Sequence, residues 1–343
     1  MSIRILVVDD SAFARKVVRE MLAGSAEIEV VGAARDGEEA IELVQTLNPD
    51  VVLCDLQMPK LDGVGFIRRQ MQERPLPIVV LSAAREDAIE VIEALESGAI
   101  DVLKKPTALA SDELRSIRDE LIEKLKAAVG APTENLAPAR EAVRSVSAPS
   151  TSASKERVVV IAVSTGGPQA LRSLLPAFPA NFPVPIAIVL HMPVGYTSLF
   201  AEKLNEVCAL TVKEAEEGDP VVAGQALLAP AGRHLLLQRT GPGAVMAKLS
   251  MQPLEKIHRP SADVLFKSAA EAYQDGVVAV VMTGMGSDGK EGAAWVKAAG
   301  GTVVTQDEKS CVIYGMPRSV AEAGLSDAEA GLGSLAQCIS SNL

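Results

Sequence analysis

Val158-Val159-Val160-Ile161-Ala162-Val163-Ser164-Thr165-Gly166-Gly167-Pro168 decides how the C-terminal half of the chain folds. Six successive apolar residues read as a buried strand. Small residues then permit a tight turn, and Pro168 is a favoured first helical residue. The stretch is one strand–turn–helix unit, and the same alternation runs outward from it. Ile186–Leu190, Ala226–Ala229, Val277–Met282 and Thr302–Thr305 read as further buried strands. Helical patterns fall at Pro168–Leu175, Tyr196–Val207, Ala262–Tyr273 and Gly292–Ala299. Gly232–Gln238 and Val245–Ser250 read as an antiparallel pair, joined through Thr240-Gly241-Pro242-Gly243. The expected result is a doubly wound, mostly parallel α/β domain carrying a hairpin.

Upstream, Ala131–Ser154 has a different composition. Sixteen of its 24 residues are Ala, Pro, Ser or Thr, and its large apolar residues are limited to Leu136, Val143 and Val146. Such a segment buries too little surface to offset its ordering entropy. A linker over 129–155 is expected, between domains at 1–128 and 156–343. Before it, Ile3–Val8, Val30–Ala33, Val51–Asp55, Ile78–Ser82 and Asp101–Leu103 read as strands. Helical stretches lie near Ala12–Ala23, Gly37–Leu47, Val64–Gln72 and Ala88–Ser97. A last helix begins near Asp112, with Leu114, Ile117, Leu121 and Leu125 on one face. Five strands alternating with five helices imply a parallel sheet covered on both sides.

Composition narrows the function. The chain has 343 residues and a net charge of −11, which disfavours a nucleic-acid partner. The cysteines Cys54, Cys208, Cys311 and Cys338 show no metal-ligand spacing, so reduced thiols are expected. Asp9 and Asp10 interrupt the first apolar run, and no later stretch is long enough to span a membrane. A cytoplasmic protein with no membrane insertion is the expectation.

In the first domain, Asp9, Asp10, Asp55, Ser82 and Lys105 all stand at or just beyond strand ends. In an open parallel sheet these ends share one edge, where α/β proteins place their sites. Carboxylates gathered there repel one another unless a cation joins them, and their oxygens suit Mg²⁺. Lys105 could neutralise a phosphoryl group on Asp55, with Ser82 donating a hydrogen bond. The pattern resembles a two-component receiver domain. That resemblance implies Asp55 as phosphoacceptor, Asp10 as a direct Mg²⁺ ligand beside Asp55, and Asp9 acting through water. It also implies a cis Lys105–Pro106 bond and a histidine kinase as phosphodonor. Val102 stands where receivers usually carry an aromatic switch residue.

In the second domain Ser164 is exposed at a strand-to-helix turn, close to backbone N–H groups able to stabilise an oxyanion. The window only half matches the Gly-x-Ser-x-Gly elbow, and taken alone Ser164 reads first as an N-cap. A serine nucleophile needs a base, and the chain offers only His191, His234 and His258. His191 directly follows a buried strand and shares the edge with Ser164. His258 is a reserve at the rim, in a segment where Ser261 caps the next helix. His234 enters the hairpin. Asp288, in Thr283-Gly284-Met285-Gly286-Ser287-Asp288-Gly289, is the carboxylate expected to orient the imidazole.

Further segments carry a resemblance over nearly the whole chain. They include Ser164-Thr165-Gly166-Gly167-Pro168-Gln169-Ala170-Leu171, His191-Met192-Pro193, Glu214-Ala215-Glu216-Glu217-Gly218-Asp219 and His258-Arg259-Pro260-Ser261. Thr283-Gly284-Met285-Gly286, Gln306-Asp307-Glu308 and Tyr314-Gly315-Met316-Pro317-Arg318 follow. The chain is similar to the chemotaxis response-regulator protein-glutamate methylesterases. The resemblance implies hydrolysis of glutamate γ-methyl esters on chemoreceptors, and deamidation of receptor glutamines. It implies Ser164, His191 and Asp288 as a triad, with Thr165 and the backbone near Met285 stabilising the oxyanion. No metal is expected in the esterase step. It further implies that the unphosphorylated receiver covers the esterase cleft and that phosphorylation releases it. The competing classes are a receiver-gated adaptor, a transcriptional regulator, and a paralogue demethylating another signalling protein.

Overall fold

The computed structural model of the protein describes residues 2–82, 88–105, 111–136, 146, 156–241 and 243–343. The chain divides into two compact units, Met1–Arg140 and Glu141–Leu343. The first contains β1 (Ile3–Val8), β2 (Ile28–Ala34), β3 (Val51–Asp55), β4 (Ile78–Ser82) and β5 (Asp101–Lys104). Helices α1 (Ala12–Leu22), α2 (Gly37–Leu47), α3 (Gly63–Glu73), α4 (Ala88–Glu96) and α5 (Ser111–Val129) alternate with them. The sheet is parallel, in the order β2-β1-β3-β4-β5. Every residue of β3 and β4 is buried, as a strand covered on both faces requires. Side-chain caps set the helix starts: Ser11, Asp36 and Asp62 accept from the N–H groups of Ala14, Glu39 and Gly65. The chain reverses direction across the sheet between β1 and β3, so a crevice opens beyond their carboxyl ends.

The first unit continues past Val129. Thr133–Asn135 forms a short 3-10 turn, and Ala131 and Leu136 are buried. Val146 is buried in the second unit, its N–H donating to Ala177 O at 3.0 Å. The rest of the expected linker lies outside the described residues, as do the Lys105–Pro106 bond and Pro242 of the hairpin turn.

The second unit holds β6 (Val158–Val163), β7 (Ile186–Leu190), β8 (Thr211–Glu214) and β9 (Gln225–Leu228). The hairpin follows as β10 (His234–Gly241) and β11 (Ala244–Ser250), and then β12 (Val277–Val281), β13 (Thr302–Gln306) and β14 (Ala328–Ala330). Its helices are α6 (Gly167–Leu174), α7 (Thr197–Val207), α8 (Ala262–Tyr273), α9 (Lys290–Ala298), α10 (Met316–Glu322) and α11 (Leu332–Ser341). Seven parallel strands run β14-β13-β12-β6-β7-β9-β8. The chain builds outward from β6 to β8, then returns to lay β12 on the other side of β6. The switch point therefore lies between β6 and β12, and ligand crevices open beyond strand ends at such points. Phe266 and Leu265 of α8 pack in one buried cluster with Val160, Val281 and the hairpin residues Leu235 and Leu237. Each large apolar side chain so buried contributes roughly 1.5–3 kcal/mol.

Four elements have no counterpart in the sequence reading: β8, β14, α10 and α11. Both strands are sheet edges of four and three residues. β14, Ala328-Glu329-Ala330, has no intrinsic strand character and is extended only because it pairs with β13.

Candidate active site and phosphoacceptor pocket

Ser164 is the first residue beyond β6. Its N–H donates to Thr283 O at 3.0 Å, and its carbonyl accepts from Gly167 N at 2.7 Å. The turn needs glycine at 166, where φ is +76° and a β-carbon would lie 2.7 Å from Val312. Gly166 occupies the N-cap position of α6. Ser164 stands two residues before it, so the expectation that it caps the helix is corrected. Beneath the turn, Thr283 Oγ1 donates to Thr165 O at 3.0 Å and accepts from Ile313 N at 3.0 Å. Gln306 Oε1 accepts from Thr283 N at 2.9 Å, and its amide donates to Ser310 O. Thr165, Thr283 and Gln306 are all buried. Gly284 lies against the serine, where a β-carbon would approach Ser164 Cβ to 2.7 Å. Its carbonyl accepts from Gly315 and Met316, leaving the N–H of Met285 outside that bridge.

His191 is the first residue beyond β7, and its N–H donates to Val163 O at 3.1 Å. Since Val163 pairs with Leu190, Ser164 and His191 step off adjacent strands at the same level. The imidazole is largely buried, and Nε2 lies 2.9 Å from Asp288 Oδ2. A carboxylate only accepts, so Nε2 carries the proton and Nδ1 holds the lone pair. Nδ1 is buried without a hydrogen-bond partner among the described residues, so the Ser164 hydroxyl does not bond to it here. The exposed His258 ring stacks on His191, with centroids 4.2 Å apart and planes 17° from parallel.

Asp288 is fixed by the N-terminus of α8. Oδ1 accepts from Ser261 Oγ at 2.8 Å and Asp263 N at 3.1 Å, while Oδ2 accepts from Ala262 N at 2.7 Å. Burial raises this carboxyl, but His191 and the N–H groups of Ala262 and Asp263 outweigh it. The net effect holds Asp288 well below the usual carboxylate range. Ser261 does stand at the N-cap of α8, but its side chain makes no cap hydrogen bond. Its hydroxyl serves Asp288, which caps the helix in its place. The exchange is reciprocal: Asp263, in the first turn of α8, accepts from Gly289 N and Gly292 N at the start of α9. Burial pushes Asp263 above its ordinary value, against the pull of Lys256 at 2.8 Å.

His234 is fully buried. Its Nδ1 accepts from Ser261 N and its Nε2 donates to Pro253 O, both at 3.2 Å. This pattern requires the neutral ring, and burial holds its pKa below the ordinary value. Asp263 is absent from the sequence reading, and Thr283 and Gln306 appear there only within the quoted segments, without a role. The available signal was a polar residue at or just beyond the end of a buried strand, as at Thr283 and Gln306.

In the first unit, Lys105 Nζ reaches Asp9 Oδ2 at 2.8 Å and Asp55 Oδ2 at 2.7 Å. Lys105 N donates to the carbonyl of the buried Ser82, and Asp55 Oδ1 accepts from Leu56 N at 2.8 Å. Burial raises the Asp55 carboxyl, opposed by Lys105. Asp9, Asp10 and Asp55 can present oxygens within 4.8 Å of one another, with Asp10 exposed. Three hard oxygen donors with one open side fit Mg²⁺. Val102 is buried in β5.

A five-stranded parallel sheet with this acid–lysine pocket, followed by an α/β sheet with serine, histidine and aspartate at its switch point, defines a receiver-linked hydrolase. A response regulator receiver domain model matches residues 5–117, and a CheB methylesterase model matches residues 159–339. Among similar proteins, protein-glutamate methylesterase/protein-glutamine glutaminase 5 of Myxococcus xanthus is 49% identical, with 96% of this chain and 95% of that one covered. A protein-glutamate methylesterase/protein-glutamine glutaminase of Pyrococcus abyssi is 43% identical, covering 95% of this chain and 89% of its own. The crystal structure of the Thermotoga maritima CheB methylesterase catalytic domain matches with a TM-score of 0.54 at 40% identity. That match covers 55% of this chain and 100% of the other. The chain belongs to the CheB methylesterase family and is a carboxylic ester hydrolase with an N-terminal receiver domain. No helix among the described residues is long and apolar enough to cross a membrane.

Proposed function

We propose that the protein hydrolyses γ-methyl esters of glutamate on chemoreceptors in the cytoplasm, and deamidates receptor glutamines, using Ser164, His191 and Asp288. Ser164 Oγ attacks the γ-carbonyl carbon while His191 Nδ1 takes the hydroxyl proton. Asp288 holds the Nε2 proton and stabilises the imidazolium. The oxyanion is met by backbone N–H groups at Thr165 and Met285. As the C–O bond breaks, His191 returns the proton to the methoxy oxygen, which leaves as methanol, or, in an amide substrate, to the nitrogen, which leaves as ammonia. Water, deprotonated by the same nitrogen, releases glutamate and restores the serine. The observation that carries this reading is the 2.9 Å His191–Asp288 contact: it leaves the lone pair on Nδ1, which is buried without a hydrogen-bond partner among the described residues, in a residue that steps off the strand next to that of Ser164 at the same level. The missing serine–histidine hydrogen bond is compatible with it, since such bonds often tighten only when substrate binds.

Asp55 is the phosphoacceptor and a chemotaxis histidine kinase the phosphodonor. Asp10 and Asp55 would hold Mg²⁺, with Asp9 acting through water, and the ion would supply positive charge against the phosphoryl oxygens. Lys105 pairs with the phosphoryl group and Ser82 donates to it. Phosphorylation raises esterase turnover by shifting the receiver between two states.

Asp288→Asn tests the triad, because it keeps the side-chain shape and removes the charge that fixes the tautomer. A fall in kcat of roughly 10³–10⁴-fold is expected in methanol release from methylated receptor. An unchanged kcat in a folded variant would overturn the assignment.

A further inference from the structure

His191 is held at only one of its nitrogens. Nε2 is tied to Asp288, and Nδ1 has no hydrogen-bond partner among the described residues. One hydrogen bond fixes where a ring sits but leaves its plane free to turn about that bond. The second restraint on the ring is a face contact: His258 lies over it at 4.2 Å, inclined by 17°. Near-parallel rings this close bring their flat faces into van der Waals contact, and turning one ring against the other loses that contact.

His258 does not hang from a loose loop. The next residue's carbonyl, Arg259 O, accepts from Gly232 N at 2.9 Å. Arg259 Nη1 donates to Leu254 O at 3.1 Å. Two residues further on, Ser261 N donates to His234 Nδ1, and Ser261 Oγ donates to Asp288. The short segment from His258 to Asp263 therefore touches both other partners: it stacks on the histidine and supplies three hydrogen bonds to the aspartate.

We propose that His258 is a positioning residue that fixes the plane of the His191 ring by stacking, and so aims Nδ1 at Ser164. The proposal rests on the reading of His191 as the base. It assigns His258 no proton transfer, because the flat face it presents, and not its nitrogens, meets His191. Losing the stack lowers the fraction of time that Nδ1 is aligned, which acts on kcat and leaves binding of the receptor nearly untouched. Misalignments of about 1 Å at a reacting group cost up to ~10²-fold in rate.

The test uses the full chain with Asp55 phosphorylated, methanol release from methylated receptor, and the variants His258→Ala, His258→Phe and Ser164→Ala. His258→Ala is expected to lower kcat by about tenfold or more with KM within about twofold, and His258→Phe to recover kcat to within about threefold of the parent. Melting temperatures report folding, and this exposed side chain should tolerate both changes. Parental kcat in His258→Ala overturns the proposal. So does a His258→Phe variant as slow as His258→Ala, since that assigns the effect to the imidazole nitrogens. Turnover retained in Ser164→Ala would instead overturn the triad on which the proposal rests, so the two failures are distinct.

Discussion

Asp288 does two jobs with one carboxylate: it orients His191 through Oδ2 and caps α8 through both oxygens. Replacing it therefore tests chemistry and helix anchoring together. His234 allows a test weighted towards anchoring, because its hydrogen bonds go to the Ser261 N–H and the Pro253 carbonyl and not to the side chains of the proposed triad. Its folded-state pKa is lowered by burial. Between that value and the unfolded value of about 6.5, the unfolded chain binds the extra proton, so stability falls as pH falls through this window. The melting temperature of the parent should thus drop more between pH 7.5 and pH 5 than that of His234→Gln. Equal drops would show that His234 carries no such linkage. At this scale the sequence was informative where a residue's place follows from a strand end. That is how His191 was preferred over His234 and His258. It was silent on which imidazole nitrogen faces the aspartate and on Ser261 serving Asp288, because both depend on α8 meeting the β12–α9 loop.

Strands buried on both faces were the most legible elements. Ile3–Val8, Val51–Asp55, Ile78–Ser82, Val158–Val163 and Ile186–Leu190 agree with the apolar runs residue for residue. The hairpin was legible through its turn chemistry, and its strands run a little longer than expected at the turn. The short edge strands β8 and β14 were not, since edge pairing asks little of sequence and depends on what lies alongside. The loop between β12 and α9 brings Asp288 to the edge, and Gly284 at its start leaves room for the serine. In Gly284→Ala the new β-carbon meets Ser164 Cβ at 2.7 Å and Met316 Sδ at 2.6 Å. Overpacking of this kind costs about 1–3 kcal/mol, so the variant should melt several degrees lower and lose more than about tenfold in kcat. Parental kinetics in this variant would mean that the serine does not need the position the glycine allows.

The whole molecule joins two parallel sheets, each with its polar residues at a switch point. The composition shift lies over 131–154, while in the structure Ala131 and Leu136 are buried and the first unit runs to Arg140. A truncation intended to free the esterase unit removes residues 1–140. Such a fragment is expected to have higher basal activity than the unphosphorylated full chain. A well-folded fragment with equal or lower activity would contradict restraint by the receiver. The net charge of −11 disfavours a nucleic-acid partner and does not by itself identify any other. The central claim, that Ser164 is the nucleophile, is tested most directly by methanol release from methylated chemoreceptor by full-length Ser164→Ala with Asp55 phosphorylated. This variant should fold with the parental melting temperature and turn over at least about 10³-fold more slowly. Methanol release at the parental rate would contradict that claim.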